Sequence, residues 1–271
     1  MTIDLMGVRD KVQRAWEHRY ALEAEVEPVI TGEAHQIQMS AKLDPDSGYH
    51  VFRVSVMPDG WQRRTAVILG DVVHNLRSAL DQLAYQLVLN HYGRPPTEEL
   101  RRLVKFPIEQ KRSSVTSSYT YSKVSPSCRA DIAWAQPYDA ANRPTTFRYI
   151  PALHALAVLQ RLSNRDKHRM LNPILVSTSF ITFKGGELDG VPWSEVAFDY
   201  SPRLGRQNLK IGTELMRCDL PSYVNNEVEV AAYAAPDVRL PQGRYSLIHG
   251  IDLMTNAVER VIDRFATRYR V

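Results

Sequence analysis

Residues 62 to 91 read QRRTAVILGDVVHNLRSALDQLAYQLVLNH, with apolar positions recurring every three or four residues, and Gly93 with Pro95-Pro96 follows directly. This is the strongest helical signal in the chain, and the glycine and prolines supply the usual stop. On a helical wheel Leu69, Val72, Val73, Leu76, Ala79, Leu80, Leu83 and Leu87 make one face. The opposite face carries Asp71, His74, Asn75, Arg77, Ser78, Asp81, Gln82 and Tyr85. A helix this long and this apolar on one side has to pack against other apolar elements, so the rest of the chain is read for its partners.

Two further long helices are expected. From Ile3 to about Val26, Leu5, Val8, Val12, Trp16 and Tyr20 recur at helical spacing, and from about 244 to 269 Ile248, Ile251, Val258, Ile262 and Phe265 form one stripe. Trp16, Tyr20, Phe265 and Tyr269 are expected to pack these terminal helices together. The runs 34 to 42 and 49 to 57 alternate in character around Asp44-Pro45-Asp46-Ser47-Gly48, which predicts a β-hairpin. Residues 104 to 150 read as irregular, with a hydroxyl-rich loop at 113 to 122 and a short helix near 128 to 136. A helix is expected from Pro151 to about Leu171, stopped by Asn172-Pro173. Strands at 174 to 183, 194 to 200, 208 to 216 and 227 to 233 suggest an antiparallel meander.

The fold class is therefore α+β: three long helices packed together, an antiparallel sheet of about four strands, and an N-terminal β-hairpin. The 271 residues are read as a single domain. Its parts are helix and hairpin 1–60, a helical core 61–172 with an irregular insertion 104–150, the sheet 173–234 and the C-terminal helix 244–269.

Residues 1 to 20 carry charges at every turn, so a secretory leader is not expected. No apolar run approaches the roughly 20 residues of a membrane span. Cys128 and Cys218 lie far apart with no CxxC partner, which gives no reason to expect a zinc ribbon or a disulfide. A cytoplasmic protein with no membrane partner is the expectation. The 34 basic residues barely exceed the 30 acidic ones, but residues 142 to 172 hold Arg143, Arg148, Arg161, Arg165, Lys167 and Arg169 against Asp166 alone. That cationic segment makes an anionic ligand the leading partner.

The polar face of the 62–91 helix is unusual in composition. An exposed face is ordinarily filled with Lys and Glu, whereas this one offers directional donors and acceptors. His74, Arg77, Ser78 and Asp81 stand at spacings of three and four, so their side chains can meet. The 151–171 helix repeats the pattern: His154, Arg161, Arg165 and His168 lie along one side. Lys167 and Arg169 also suit the negative end of a helix.

The string Gly70-Asp71-Val72-Val73-His74-Asn75-Leu76-Arg77-Ser78-Ala79-Leu80-Asp81, followed by Asn164-Arg165-Asp166-Lys167-His168-Arg169, resembles an uncharacterised family of bacterial proteins with HNLRSALD and DKHR signatures. That resemblance spans most of the chain and implies no activity. HEPN ribonucleases, helical and metal-independent, are marked by Arg, four to six residues, then His. Arg148/His154, Arg161/His168 and Arg244/His249 match, yet with 26 arginines and 8 histidines in the chain about two matches arise by chance. Arg161/His168 stands out because it lies on the helix facing a candidate partner.

Other chemistries are weaker. Asp71-x-x-His74 resembles half of a helical carboxylate-histidine metal site, but the second Glu-x-x-His copy is missing and arginines lie beside it, so no metal is expected. GxSxG, P-loop and dinucleotide fingerprints are absent, so no cofactor is expected.

The working reading is a site between the two polar helix faces, recognising RNA or another anionic ligand. In a HEPN-like ribonuclease, Arg161 and Arg165 hold phosphate, His168 is the general acid/base, and His74 or Asp81 orients it. Arg77, Asn75, Lys167 and Asp166 complete the ligand contacts. Two alternatives stand beside it. In one, the network is structural in a binding or scaffold module, with Arg77 to Asp166 and Asp81 to Lys167 or His168 bridging the helices. In the other, the cleft serves a small-molecule enzyme acting on an anion.

Overall fold

The computed structural model describes residues 3–31, 37–57, 59–139, 154–167, 171, 173–177, 187–188, 191–192, 198–201, 209–219, 228–229, 232–236 and 246–269. Three long helices form the core: α1 (Met6–Thr31), α2 (Trp61–Tyr92) and, last of the eight helices described, α8 (Leu247–Tyr269). Between them run β1 (Gln38–Leu43) and β2 (His50–Val56), then after α2 the short α3 (Glu98–Arg101), α4 (Arg112–Thr116), α5 (Tyr119–Ser122), α6 (Pro126–Trp134) and α7 (Ala155–Asp166). The strands β3 (Pro173–Ser177), β4 (Glu187–Leu188), β5 (Val191–Pro192), β6 (Phe198–Tyr200), β7 (Glu214–Cys218), β8 (Val228–Glu229) and β9 (Ala232–Pro236) precede α8.

The expected apolar face of α2 is the centre of the core. Leu69, Leu76, Leu80, Leu83 and Leu87 are fully buried, each contributing about 1.5–3 kcal/mol of transfer free energy. Val8, Val12, Leu22 and Val26 of α1 pack onto it, with Ile251, Val258, Ile262 and Phe265 of α8. Phe265 is buried in this core and Trp16 and Tyr269 pack against it, as expected, while polar bonds flank the α1–α8 contact. Trp16 Nε1 donates to Glu259 at 2.9 Å, Arg9 pairs with Asp263 at 3.0 Å, and Arg19 pairs with Asp252 at 2.8 Å. Tyr20, expected in that seam, is 61% exposed; it stacks on Trp16 under the Arg19 guanidinium.

The hairpin forms as read, with Gly48 at φ 73° in its turn. It is not separate from the sheet. The antiparallel order is β6-β7-β2-β1-β8, so the hairpin lies inside it and later strands pair with both of its edges. A lone hairpin is marginal in water, and edge pairing removes its open backbone groups. The expected meander is therefore corrected: β3 pairs with β9 apart from this sheet, and β4 with β5.

The 113–122 segment, read as a loop, forms α4 and α5. Its hydroxyls are consumed locally. Ser118 caps α5 by accepting from Tyr121 N–H, Ser125 caps α6 by accepting from Cys128 N–H, and buried Thr120 both accepts from Lys105 N–H at 3.0 Å and donates to Lys105 O at 2.7 Å. Among the described residues no helix is long and apolar enough to cross a membrane.

Candidate functional site

The polar faces of α2 and α7 meet, and Arg77 is where they join. Its side chain is only 10% exposed. Nη2 donates to Asp81 Oδ1 at 2.7 Å and Nε to Oδ2 at 3.3 Å, a two-point grip along one helix at i, i+4 spacing. Nη1 crosses to α7 and donates to Gln160 Oε1 at 2.8 Å.

The same pair holds a third segment. Arg77 Nη2 donates to Phe106 O at 2.7 Å while Asp81 Oδ1 accepts Phe106 N–H at 2.9 Å. Both backbone groups of one buried residue are thus satisfied by one ion pair, which fixes the chain after α3 against α2. A buried backbone group without such a partner costs about 1–3 kcal/mol.

Farther toward the start of α2 the helices approach closely. A Cβ on Gly70 would stand 3.1 Å from Asp166 Oδ1, so glycine is what lets the last turn of α7 settle there. Burial pushes the Asp166 carboxyl above its ordinary range; neighbouring His74 works against that shift and Asp71 adds to it. Asn75, assigned by the sequence to ligand binding, is instead buried and donates to Asp71 O at 2.8 Å within its own helix.

Above the Arg77–Asp81 pair a cleft of about 350 Å³ stays open. His74, Ser78, Gln82 and Tyr85 of α2 line one side. Arg101 of α3, Ser163 of α7 and Lys167 just past its end line the other. Two cationic side chains, Arg101 and Lys167, thus face His74 across a floor whose charges are already paired. The Gln160–Asn164 bond, 2.9 Å, stiffens the α7 side.

The remaining predicted residues divide. Arg161 and Arg165 do not line this cleft: they lie on a different face of α7 from Gln160, Ser163 and Lys167, and burial lowers the Arg161 pKa. His168 lies outside the described residues, as does Pro151, the expected first residue of the helix. His154 caps α7 rather than lying within it, its Nδ1 accepting Leu156 N–H at 3.3 Å. Burial, reinforced by Arg260, drives its pKa down to about 4. The expected Arg77–Asp166 and Asp81–Lys167 bridges do not form, because Asp81 reaches Arg77 along the same helix with better geometry.

A second ion cluster had no counterpart in the sequence reading. Asp131 of α6 is completely buried and serves two arginines of α8, Arg264 at 2.7 Å and Arg268 at 3.0 Å. Arg264 also lies over the Trp134 ring, 4.2 Å from its centroid. Its available signal was the i, i+4 repeat Arg260, Arg264, Arg268 along a predicted helix, opposite the core stripe. Among the described residues no group of three or more His, Cys, Asp or Glu side chains converges as metal ligands.

Comparison of the chain with protein-family models, curated proteins and solved structures returns no match.

Proposed function

We propose that the α2/α7 cleft binds a small phosphate-bearing ligand, with Arg101 and Lys167 as its charge contacts, His74 as a hydrogen-bonding partner, and the Arg77–Asp81 pair as a fixed floor. The observation that carries this reading is the open cleft itself: Arg101 of α3 and Lys167 at the end of α7 border it opposite His74, while the floor arginine is spent on Asp81, Gln160 and Phe106. Arginine and lysine are the residues that match phosphate oxygens. In this reading Arg77 and Asp81 are scaffold. Their hydrogen bonds to the Phe106 backbone support that assignment over a catalytic one, and Arg161 and Arg165 take no part in ligand binding.

Titration with pyrophosphate and with a fluorescein-labelled oligouridylate tests the proposal. Lys167→Glu and Arg101→Glu are each expected to weaken binding at least about tenfold, close to the 1.4 kcal/mol of one charge-assisted contact. Among the described residues neither side chain has a structural partner beyond the exposed Arg101–Glu98 pair, so melting temperatures should stay near wild type. Absence of binding by both probes at millimolar concentration, or binding unchanged in both variants, ends the reading. Incubating the oligouridylate with protein in EDTA tests the ribonuclease alternative: metal-independent cleavage abolished by His168→Ala and kept in Lys167→Glu would replace binding at this cleft with that chemistry.

A further inference from the structure

We propose that a second groove, at the other end of α2, is a binding site for a small aryl carboxylate. It measures about 260 Å³ and is enclosed by the last turn of α2, the chain from 94 to 97, α3 and α5. Its walls are apolar and stiff: Val88 and Leu100, with the rings of Pro95 and Pro96. Gly93, at φ 65°, ends α2 in the left-handed conformation and turns the chain so that the two prolines follow at the rim. Proline has little conformational freedom left to lose on binding, so this wall is preorganised. Tyr92 and Tyr119 add two aromatic faces.

Charge selects the class of ligand. Among the described residues, Arg94 and Lys123 are the charged ones lining the groove, and no carboxylate lines it. The α1/α8 groove, by contrast, contains Glu259 and Asp263, the α6/α8 groove Asp263, and the α2/α7 cleft Asp81. Neither Arg94 nor Lys123 has an ion-pair partner among the described residues; Lys123 Nζ lies instead over the Tyr119 ring, 5.5 Å from its centroid. Helix capping does not account for Arg94, since Gly93 N–H already closes on Leu89 O at 2.8 Å. Nearby Glu98 is turned to Arg101 at 3.1 Å. Apolar walls, two rings and two cations without counter-charge fit a flat apolar body bearing one carboxylate. The groove is too small for a long acyl chain.

Calorimetric titration of the full chain with 2-naphthoate, 2-naphthamide and octanoate tests this, with amide chemical shifts mapping the contact. Naphthoate should bind and shift resonances of 94–100 and 119–123. The Arg94→Met/Lys123→Met double variant should lose at least about tenfold in naphthoate affinity, and naphthamide should bind equally weakly to both proteins. Both side chains reach solvent, so the double variant should fold; Leu100→Glu, which puts a carboxylate into the groove, should abolish naphthoate binding independently. The proposal is overturned by no naphthoate binding at millimolar concentration, by equal affinity in wild type and double variant, by octanoate binding more tightly than naphthoate, or by shifts confined to the α2/α7 cleft. That last outcome would leave the cleft proposal standing, so the two readings fail separately.

Discussion

Two of the arginine–aspartate assemblies among the described residues solve opposite problems. In the α2 pair the cation is the buried partner: Arg77 is 10% exposed and Asp81 31%. In the α6/α8 cluster the anion is buried: Asp131 has no exposure, while Arg264 and Arg268 keep 36% and 44%. A guanidinium is weakly hydrated and carries five donors, so one carboxylate, a side-chain amide and a carbonyl suffice for Arg77. A carboxylate taken fully out of water gives up more, and Asp131 has two guanidiniums. The first assembly is charge-balanced. The second leaves positive charge on the surface of α8.

This difference predicts which half of each assembly is indispensable. Removing the exposed partner strands the buried charge, whereas removing the buried partner leaves exposed groups that water can solvate. The largest effect is expected for Arg264→Ala/Arg268→Ala, about 4 kcal/mol, because Asp131 is then buried without a counter-charge. Asp131→Asn should cost less, about 1–2 kcal/mol, as an amide of the same shape still accepts one hydrogen bond. Urea unfolding of both variants checks the order. If Asp131→Asn proves the more damaging, the buried-charge argument for this cluster is wrong.

The α2 pair should show the same rule with the residues exchanged. Asp81→Ala strands Arg77 and frees Phe106 N–H, for a loss of about 3 kcal/mol. Arg77→Met leaves Asp81 able to reach water and still bonded to Phe106 N–H, so a smaller loss of about 2 kcal/mol is expected, chiefly from Phe106 O. Equilibrium unfolding of the two single variants and the double measures the coupling. Losses in the reverse order would mean that the clamp on Phe106, rather than the buried charge, dominates.

The two assemblies also differ in how visible they were. The leucine stripe of α2, the stripe of α8 and the i, i+4 spacing that lets Arg77 meet Asp81 follow from local periodicity and were legible, although the bridges expected from sequence ran from these residues to α7 instead. That Arg77 is buried was not legible, because its other partners, Phe106 and Gln160, lie 29 and 83 residues away. Asp131 sits on the short helix expected near 128 to 136, but 133 residues from Arg264, and no local pattern announces a pairing at that separation. The 113–122 segment misled for a related reason. Its hydroxyls suggested solvent, yet Ser118 serves as a helix cap and Thr120 is buried on the Lys105 backbone. Sheet order was equally hidden: the hairpin was evident, but its partners on either edge are distant in sequence.

The buried cap of α7, beside the positive side of α8, gives the most specific prediction. His154 has to be neutral for Nδ1 to accept Leu156 N–H and cap α7, and both its burial and Arg260 oppose protonation, holding its pKa near 4 against an ordinary 6.5. The unfolded chain takes up the proton first, so the contribution of His154 to stability is complete above about pH 6.5 and is lost as pH falls toward 4. Between pH 7 and pH 5 the loss should be about 2 kcal/mol. Asparagine caps helices well and does not titrate, so His154→Asn should flatten this part of the stability–pH curve while leaving stability at pH 7 nearly unchanged. Arg260→Gln should raise the folded-state pKa and so make the loss below pH 6.5 somewhat smaller without abolishing it, because burial is the larger cause. An unaltered pH profile in His154→Asn would place the acid sensitivity elsewhere. A flat profile in Arg260→Gln would make the positive surface of α8, not burial, the main cause of the His154 shift.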